Sequence, residues 1–208
     1  MIIAVDGTMS SGKGTLAKRL AAHFGLPHLD TGLLYRAVGM KCVREGIDVS
    51  DAAACGRAAE GLDLTDFDET ELRTAAAGSA ASKVAVLAPV RAALLEMQRA
   101  FAHRPGGAVL DGRDIGTVIA PDADVKFWVD ASVEVRAGRR AKELNASGQP
   151  ITEAEMVAHL KERDARDAGR KDAPMLAAAD AIHIDTSGMT IEQVMAEAVG
   201  HVEKAMKR

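Results

Sequence analysis

A surplus of positive charge is missing: 26 Lys and Arg stand against 30 Asp and Glu, a formal charge of -4 at pH 7. A protein that tracks a nucleic-acid strand must neutralise a row of phosphates, so a general nucleic-acid binder is excluded, although local arginine clusters can still hold one small anion. Long apolar runs are missing too. No stretch approaches the roughly 20 residues of a membrane span, and Met1 leads into a strand pattern rather than a charged start and an apolar signal. A cytoplasmic protein with no membrane partner is expected. Cysteine is almost absent. Cys42 and Cys55 form no CxxC pair, and Cys42 follows Leu34 and Val38 at four-residue intervals on one helix face, so both are expected to be packing thiols. The six histidines show no HExxH and no pairing with cysteine at ligand spacing, which sets a structural metal aside. Magnesium brought in with a nucleotide stays open.

What is present is a chain of 208 residues, 48% hydrophobic, long enough to bury one sizeable core. Short β-type runs occur at Ile2 to Val5, Pro27 to Leu29, Ala108 to Leu110, Val125 to Val129 and Ile182 to Ile184, with helical spacing between them. The alternation predicts a parallel sheet covered by helices. Helices are expected at about Gly12 to Phe24, Gly32 to Glu45, Glu69 to His103 with a break at Pro89, Ser132 to Ser147, Thr152 to Arg170 and Thr190 to Lys207. Ser132 and Thr190 stand where N-caps belong, and Gln193 completes a capping box with Thr190. The alanine-rich, acidic stretch Gly46 to Ala81 cannot supply a core of its own and is expected as a helical excursion over a ligand cleft. One domain results, with a core of residues 1-30, 82-147 and 171-208, an excursion over 31-81 and a short helical lid over 148-170.

Directly after the first strand comes Gly7-Thr8-Met9-Ser10-Ser11-Gly12-Lys13-Gly14-Thr15, and it opens a helix. Glycines let backbone N–H groups converge on phosphates, the helix N-terminus adds positive potential, and Lys13 can bridge the outer phosphates. The hydroxyl arrives one residue late, at Thr15. Magnesium is therefore expected to be held chiefly by phosphate oxygens and water.

Three further segments are rich in Arg and Asp. Leu29-Asp30-Thr31-Gly32-Leu33-Leu34-Tyr35-Arg36 joins a strand end to a helix start, where Arg36 can reach an anion at the sheet edge. Asp111-Gly112-Arg113-Asp114-Ile115-Gly116-Thr117 follows the strand Ala108 to Leu110, and the C-terminal end of a parallel strand is where α/β sheets bind ligands. Arg163, Arg166, Asp167 and Arg170 share a helix face by their spacing. That face alone reads as a solvated one stitched by Arg163 and Asp167. Beside a phosphate loop it reads as a cationic lid, because phosphoryl transfer consists mostly of positioning and charge stabilisation and an anionic acceptor needs no general base.

Taken together, GTMSSGKGT, LDTGLLYR, AASKVA with Arg91, LDGRDIGT followed by APDADVKFWVDAS, and KERDARDAGR resemble bacterial cytidylate kinases. These blocks run in that family's order along the whole chain. The resemblance implies an adenylate-kinase-like P-loop fold with a five-stranded parallel sheet, an α/β class. It also implies transfer of the γ-phosphate of ATP to CMP or dCMP by a monomer. By motif position, cytosine contacts fall on Thr31, Ser82, Arg91 and Asp114, sugar contacts on Arg163 and Asp167, and phosphate contacts on Arg36, Arg113 and Arg170. Tyr35 lines the acceptor pocket, Asp111 belongs to it, and Lys13, Arg113, Arg163 and Arg170 carry the transfer. Without the resemblance, Ser82 and Arg91 read as an exposed pair on an amphipathic helix. The β-rich insert of many members shrinks here to Val49 to Gly78. A small kinase acting on UMP, AMP or shikimate competes, but Asp114 beside Arg91 offers the acceptor and donor that an amine-bearing pyrimidine edge requires. A GTP-dependent switch lacks an NKxD signature.

Overall fold

Ile2–Gly7 (β1) is an apolar run with nothing exposed, and it pairs in parallel on both sides, with Ala108–Gly112 (β3) and with Val125–Asp130 (β4). A strand that reads as continuous Val, Ile and Ala belongs in the middle of such a sheet. His28–Asp30 (β2) adds to β3 and Ile182–Asp185 (β5) to β4, giving the order β2-β3-β1-β4-β5, parallel throughout. The computed structural model describes residues 1–207.

The helices are Lys13–Phe24 (α1), Thr31–Arg44 (α2), Ala52–Glu60 (α3), Glu69–Leu72 (α4), Ala75–Val84 (α5), Ala88–Ala102 (α6), Val133–Ala146 (α7), Glu153–Ala168 (α8) and Ile191–Met206 (α9). One face of the sheet packs Val5, Phe127 and Ile184 beneath Leu16 and Leu20 of α1 and Val194 and Val202 of α9. The other buries Ala4 and Leu110 against Ala102 and a π-helical turn, Ile115–Ile119. Side-chain caps fix the starts of α3, α4, α5, α7, α8 and α9. Ser132 accepts from Val135 N–H, and Thr190 with Gln193 forms the expected capping box. Thr152 and Glu155 form a second one, so Thr152 caps α8 instead of beginning it.

The expected Glu69 to His103 helix is three helices. Thr74 caps α5, and the axis turns by 102° between α5 and α6, where Pro89 fills the first turn of α6 and cannot donate backward. The excursion needs a second correction. Its first half does not lie over the cleft, because Cys55, Ala58 and Ala59 of α3 pack with Val90 and Leu94 of α6 and with Cys42 of α2 in one buried cluster. Small residues allow that contact, since a Cβ on Gly56 would stand 2.6 Å from Pro89 Cβ. Both thiols are buried as expected, and burial pushes Cys42 up to about 12.

Candidate active site

Parallel strands send their C-terminal ends to one edge, so the loops after β1, β2 and β3 meet there. Gly7 closes β1 where a Cβ would lie 1.9 Å from the Val129 carbonyl oxygen, so only glycine lets the loop turn against β4. Ser10 at φ 62 and Gly12 at φ 95 then take left-handed conformations, an arrangement that gathers backbone N–H groups around an anion. The loop is fastened from behind. Thr8 Oγ1 donates to Asp130 at 2.5 Å, Arg136 donates to Met9 O at 3.3 Å, and Arg139 and Thr186 donate to Ser11 O at 3.3 and 2.7 Å. Lys13 Nζ donates to Thr8 O at 3.3 Å. Burial, reinforced by Arg113, pushes its ammonium down to about 7, and a polyphosphate beside it would restore the charge. Thr15 is exposed at the mouth of the loop.

Below the loop lies an acidic floor. His28 Nε2 and Asp111 Oδ1 are 2.8 Å apart, and Asp30 is pushed up by burial and then by the Asp111 carboxylate. Two adjacent carboxylates in a cleft suit the water shell of a hard cation. Asp6, buried at the end of β1, accepts from Ile115 N–H at 2.8 Å and Gly116 N–H at 2.7 Å, which pins the turn that carries Arg113 and Asp114. Burial pushes its carboxyl up to about 7 against those two bonds.

The arginines converge on one buried carboxylate. Asp167 is paired with Arg170, accepts from Arg113 Nε at 3.2 Å and lies 3.9 Å from Arg163 Nε. Burial works against its charge, yet Arg113, Arg170 and Arg163 together hold it below the usual carboxylate range. Burial, and after it Arg113, pushes Arg163 down to about 9. The Nε groups of Arg163 and Arg170 are buried with no hydrogen-bond partner among the described residues, two donors suited to an oxyanion. Arg36 donates to Leu72 O at 2.7 Å and to Thr74 O at 3.3 Å, which aims it across the cleft. Asp167 is buried and the three arginines half-buried, unlike the solvated face that the segment alone suggests, and Arg170 stands beyond Gly169, the C-cap of α8, rather than on the helix face expected for it.

At the far end Arg91 and Asp114 form a buried ion pair, with the guanidinium 5.7 Å over the Tyr35 ring. Burial pushes the Asp114 carboxyl up, although Arg91 opposes the shift. Thr31 Oγ1 donates to Asp111 O at 2.8 Å, and Ser82 Oγ accepts from Arg166 at 2.7 Å. Ser82 and Arg91 are therefore not an exposed pair on one helix. Ser82 is 2% exposed on α5, and Arg91 lies around the corner on α6. Thr31, Tyr35, Ser82, Asp114 and Arg170 enclose a small cavity of roughly 50 Å³. Arg113 and Arg163 line both this cavity and the cleft of roughly 670 Å³ in front of the phosphate loop.

The family model described as cytidylate kinase matches residues 3–204. A cytidylate kinase of Methylocella silvestris is 55% identical over 205 residues, covering 99% of this chain and 95% of its own, and one of Azorhizobium caulinodans is 56% identical over 206 residues, covering 99% of each. The chain belongs to the cytidylate kinase family. Among solved structures, an uncharacterised protein from Eubacterium ventriosum matches with TM-score 0.54 at 14% identity, covering 98% of each chain, a likeness of fold alone. Family membership makes the chain a nucleoside monophosphate kinase, and the motifs that carried the resemblance are the ones gathered at this edge.

Several residues of the site carry no signal in the sequence. Asp6 is one polar residue closing an apolar strand. Arg136, Arg139 and Arg140 look like the exposed side of α7, yet Arg136 and Arg140 are buried. A separate slot of roughly 260 Å³ opens behind the loop between Leu16, Met189, Val194 and Met195, with Arg139 at its wall. Met189 follows β5 in a turn that periodicity leaves blank.

Proposed function

We propose that the protein transfers the γ-phosphate of ATP to CMP or dCMP, giving ADP and CDP or dCDP, with residues 31-81 as the acceptor-binding region and 148-170 as the lid. The observation that carries this reading is the shared wall: Arg113 and Arg163 border both the phosphate-loop cleft and the pocket of Asp114. A base held by Asp114 would thus place its 5′-phosphate among arginines in front of Lys13. Gly7 to Thr15 hold the ATP phosphates, and the apolar slot beside Leu16 and Met195 suits the adenine ring. Asp114 accepts from the exocyclic amine of cytosine while Arg91 donates to the ring nitrogen and carbonyl. Uracil would turn a carbonyl toward the carboxylate instead. Thr31 and Ser82 border the base, Tyr35 backs Arg91, and Asp111 closes the floor.

The sugar hydroxyls fall to Asp167 and Arg163, and the acceptor phosphate to Arg36, Arg113 and Arg170. No proton acceptor is required, because the attacking phosphate oxygen is already anionic near neutral pH. Negative charge spreads over the moving phosphoryl group, and Lys13, Arg113, Arg163 and Arg170 are placed to meet it without reorganising. Magnesium fits the carboxylates present: Asp30 and Asp111 would face its water shell, and it would neutralise the phosphate oxygens. Among the described residues no single helix is long and apolar enough to cross a membrane. We place the protein in the cytoplasm, as a monomer that binds two small molecules and no nucleic acid.

The test is ADP release from MgATP with CMP, dCMP, UMP, AMP and shikimate offered separately. High turnover with CMP and dCMP and little with the rest is expected. Activity confined to another acceptor would discard the cytosine pocket while leaving the loop and lid in place.

A further inference from the structure

Arg166 is the one arginine of the lid segment that the transfer reaction leaves without a part. It is half-buried, sits one turn from Arg163 on α8 and pairs with Glu162 on its exposed side. Its other end reaches across to α5. Nη1 donates to Ser82 Oγ at 2.7 Å, and Arg163 Nη1 donates one turn earlier to Gly78 O at 3.0 Å, so two neighbouring arginines of α8 are seated on two successive turns of α5. Arg163 takes a backbone carbonyl. Arg166 takes a side-chain hydroxyl, and that hydroxyl belongs to the pocket of Asp114.

A serine hydroxyl rotates freely and offers one donor and two lone pairs. With one lone pair occupied by a guanidinium, which has no acceptor of its own, the hydroxyl loses that freedom. Its proton and remaining lone pair must then turn away from Arg166. Ser82 is 2% exposed and borders two cavities, one of roughly 410 Å³ on the Arg166 side and the one that it shares with Thr31 and Asp114; turned away from Arg166, its proton and lone pair face the second. An oriented hydroxyl distinguishes two bases, whereas a freely rotating one can satisfy either.

We infer that Arg166 is a positioning residue for base selection: through the Ser82 hydroxyl it fixes the hydrogen-bonding face that the pocket presents to the acceptor base, and so raises the preference for cytosine over uracil. The inference rests on the proposed seating of the base between Ser82 and Asp114. Arg166 touches neither phosphate nor base. Its effect travels through Ser82 alone, and that makes it separable from the cationic work of Arg163 and Arg170.

The experiment is a double-mutant cycle of Arg166→Leu and Ser82→Ala, read as kcat/KM for CMP and for UMP and as KM for ATP, with Arg166→Lys as the variant that keeps a donor. Loss of one hydrogen bond to a buried hydroxyl should lower the CMP to UMP ratio by about fivefold to tenfold in Arg166→Leu, with KM for ATP unmoved. Arg166→Lys should recover part of the ratio. The double variant should be no worse than Ser82→Ala, since without the hydroxyl Arg166 has nothing to orient. Additive losses, or a fall in ratio accompanied by an equal rise in KM for ATP, would overturn the inference and make Arg166 a general brace of the lid. If Ser82→Ala lowers the ratio while Arg166→Leu leaves it alone, the inference fails and the base pocket stands. If neither changes it, both the inference and the seating of the base at Ser82 fail.

Discussion

In the proposed reading, the base is selected in large part by one carboxyl. Asp114 is buried, paired with Arg91 and pushed above the usual carboxylate range by its burial. As a carboxylate it accepts from an amine, and once protonated it can donate to a carbonyl. The sign follows directly: lowering the pH toward its raised value converts the acceptor into a donor, so discrimination against UMP should weaken as the solution is acidified. Measuring kcat/KM for CMP and UMP over a descending series of pH values checks this sign, and a preference for CMP that sharpens on acidification would overturn it. Asp114→Asn makes the same change permanently. It should cost CMP about tenfold to a hundredfold in kcat/KM, within the range of one lost base-reading contact, while KM for ATP holds. Arg91 loses its counter-charge in that variant, so its melting temperature belongs in the same experiment.

The acceptor side of the site is built from helices that touch through small residues. Gly39 of α2 meets α5 where an added Cβ would lie 2.8 Å from the carbonyl carbon and Cβ of Ala80. These are backbone and methyl atoms that cannot swing aside. Gly39→Ala should therefore force α2 from α5, lower stability by about 1–3 kcal/mol and raise KM for CMP, because Arg36 rides on α2 and Ser82 on α5. The Kd for ATP should not follow, since the phosphate loop packs elsewhere. Thermal melting and separate titrations distinguish the two effects. This contact also shows what sequence reading can and cannot reach. The strands were legible because a buried parallel strand is a continuous apolar run, and the phosphate loop because its glycines and lysine keep fixed spacing. The α3 packing was not, since alanine and glycine count as poor core formers although close approach makes them good ones. The depth of Asp167 was equally hidden: Arg and Asp at helical spacing look the same whether they face water or each other, and only the fold brings Arg113 from the turn after β3 to decide it.

Across the whole molecule, the site gathers buried and half-buried charge, and two of its groups are shifted in opposite directions. Asp6 is pushed up to about 7, so it favours the protonated form in the fold and subtracts stability as pH rises from the ordinary carboxylate value through 7. Lys13 is pushed down to about 7, so it favours the neutral form and adds stability as pH rises from 7 toward the ordinary lysine value. The contribution of these two groups to the stability of the ligand-free enzyme should therefore pass through a minimum near neutrality. Bound MgATP should remove the Lys13 limb by holding the ammonium charged. Denaturant melts at a series of pH values, with and without nucleotide, measure both effects, and Lys13→Met should flatten the alkaline limb.

Arg136 holds a distinctive place in this arrangement. Its guanidinium donates to Met9 O of the phosphate loop, to Ala131 O at 2.9 Å and to Asp164 of α8 at 2.8 Å. The ATP cradle and the helix that seats Arg163 and Arg166 thus share one side chain. Any coupling carried by that side chain would be reciprocal: by whatever factor one nucleotide changed the affinity for the other, the second would change the affinity for the first by that same factor.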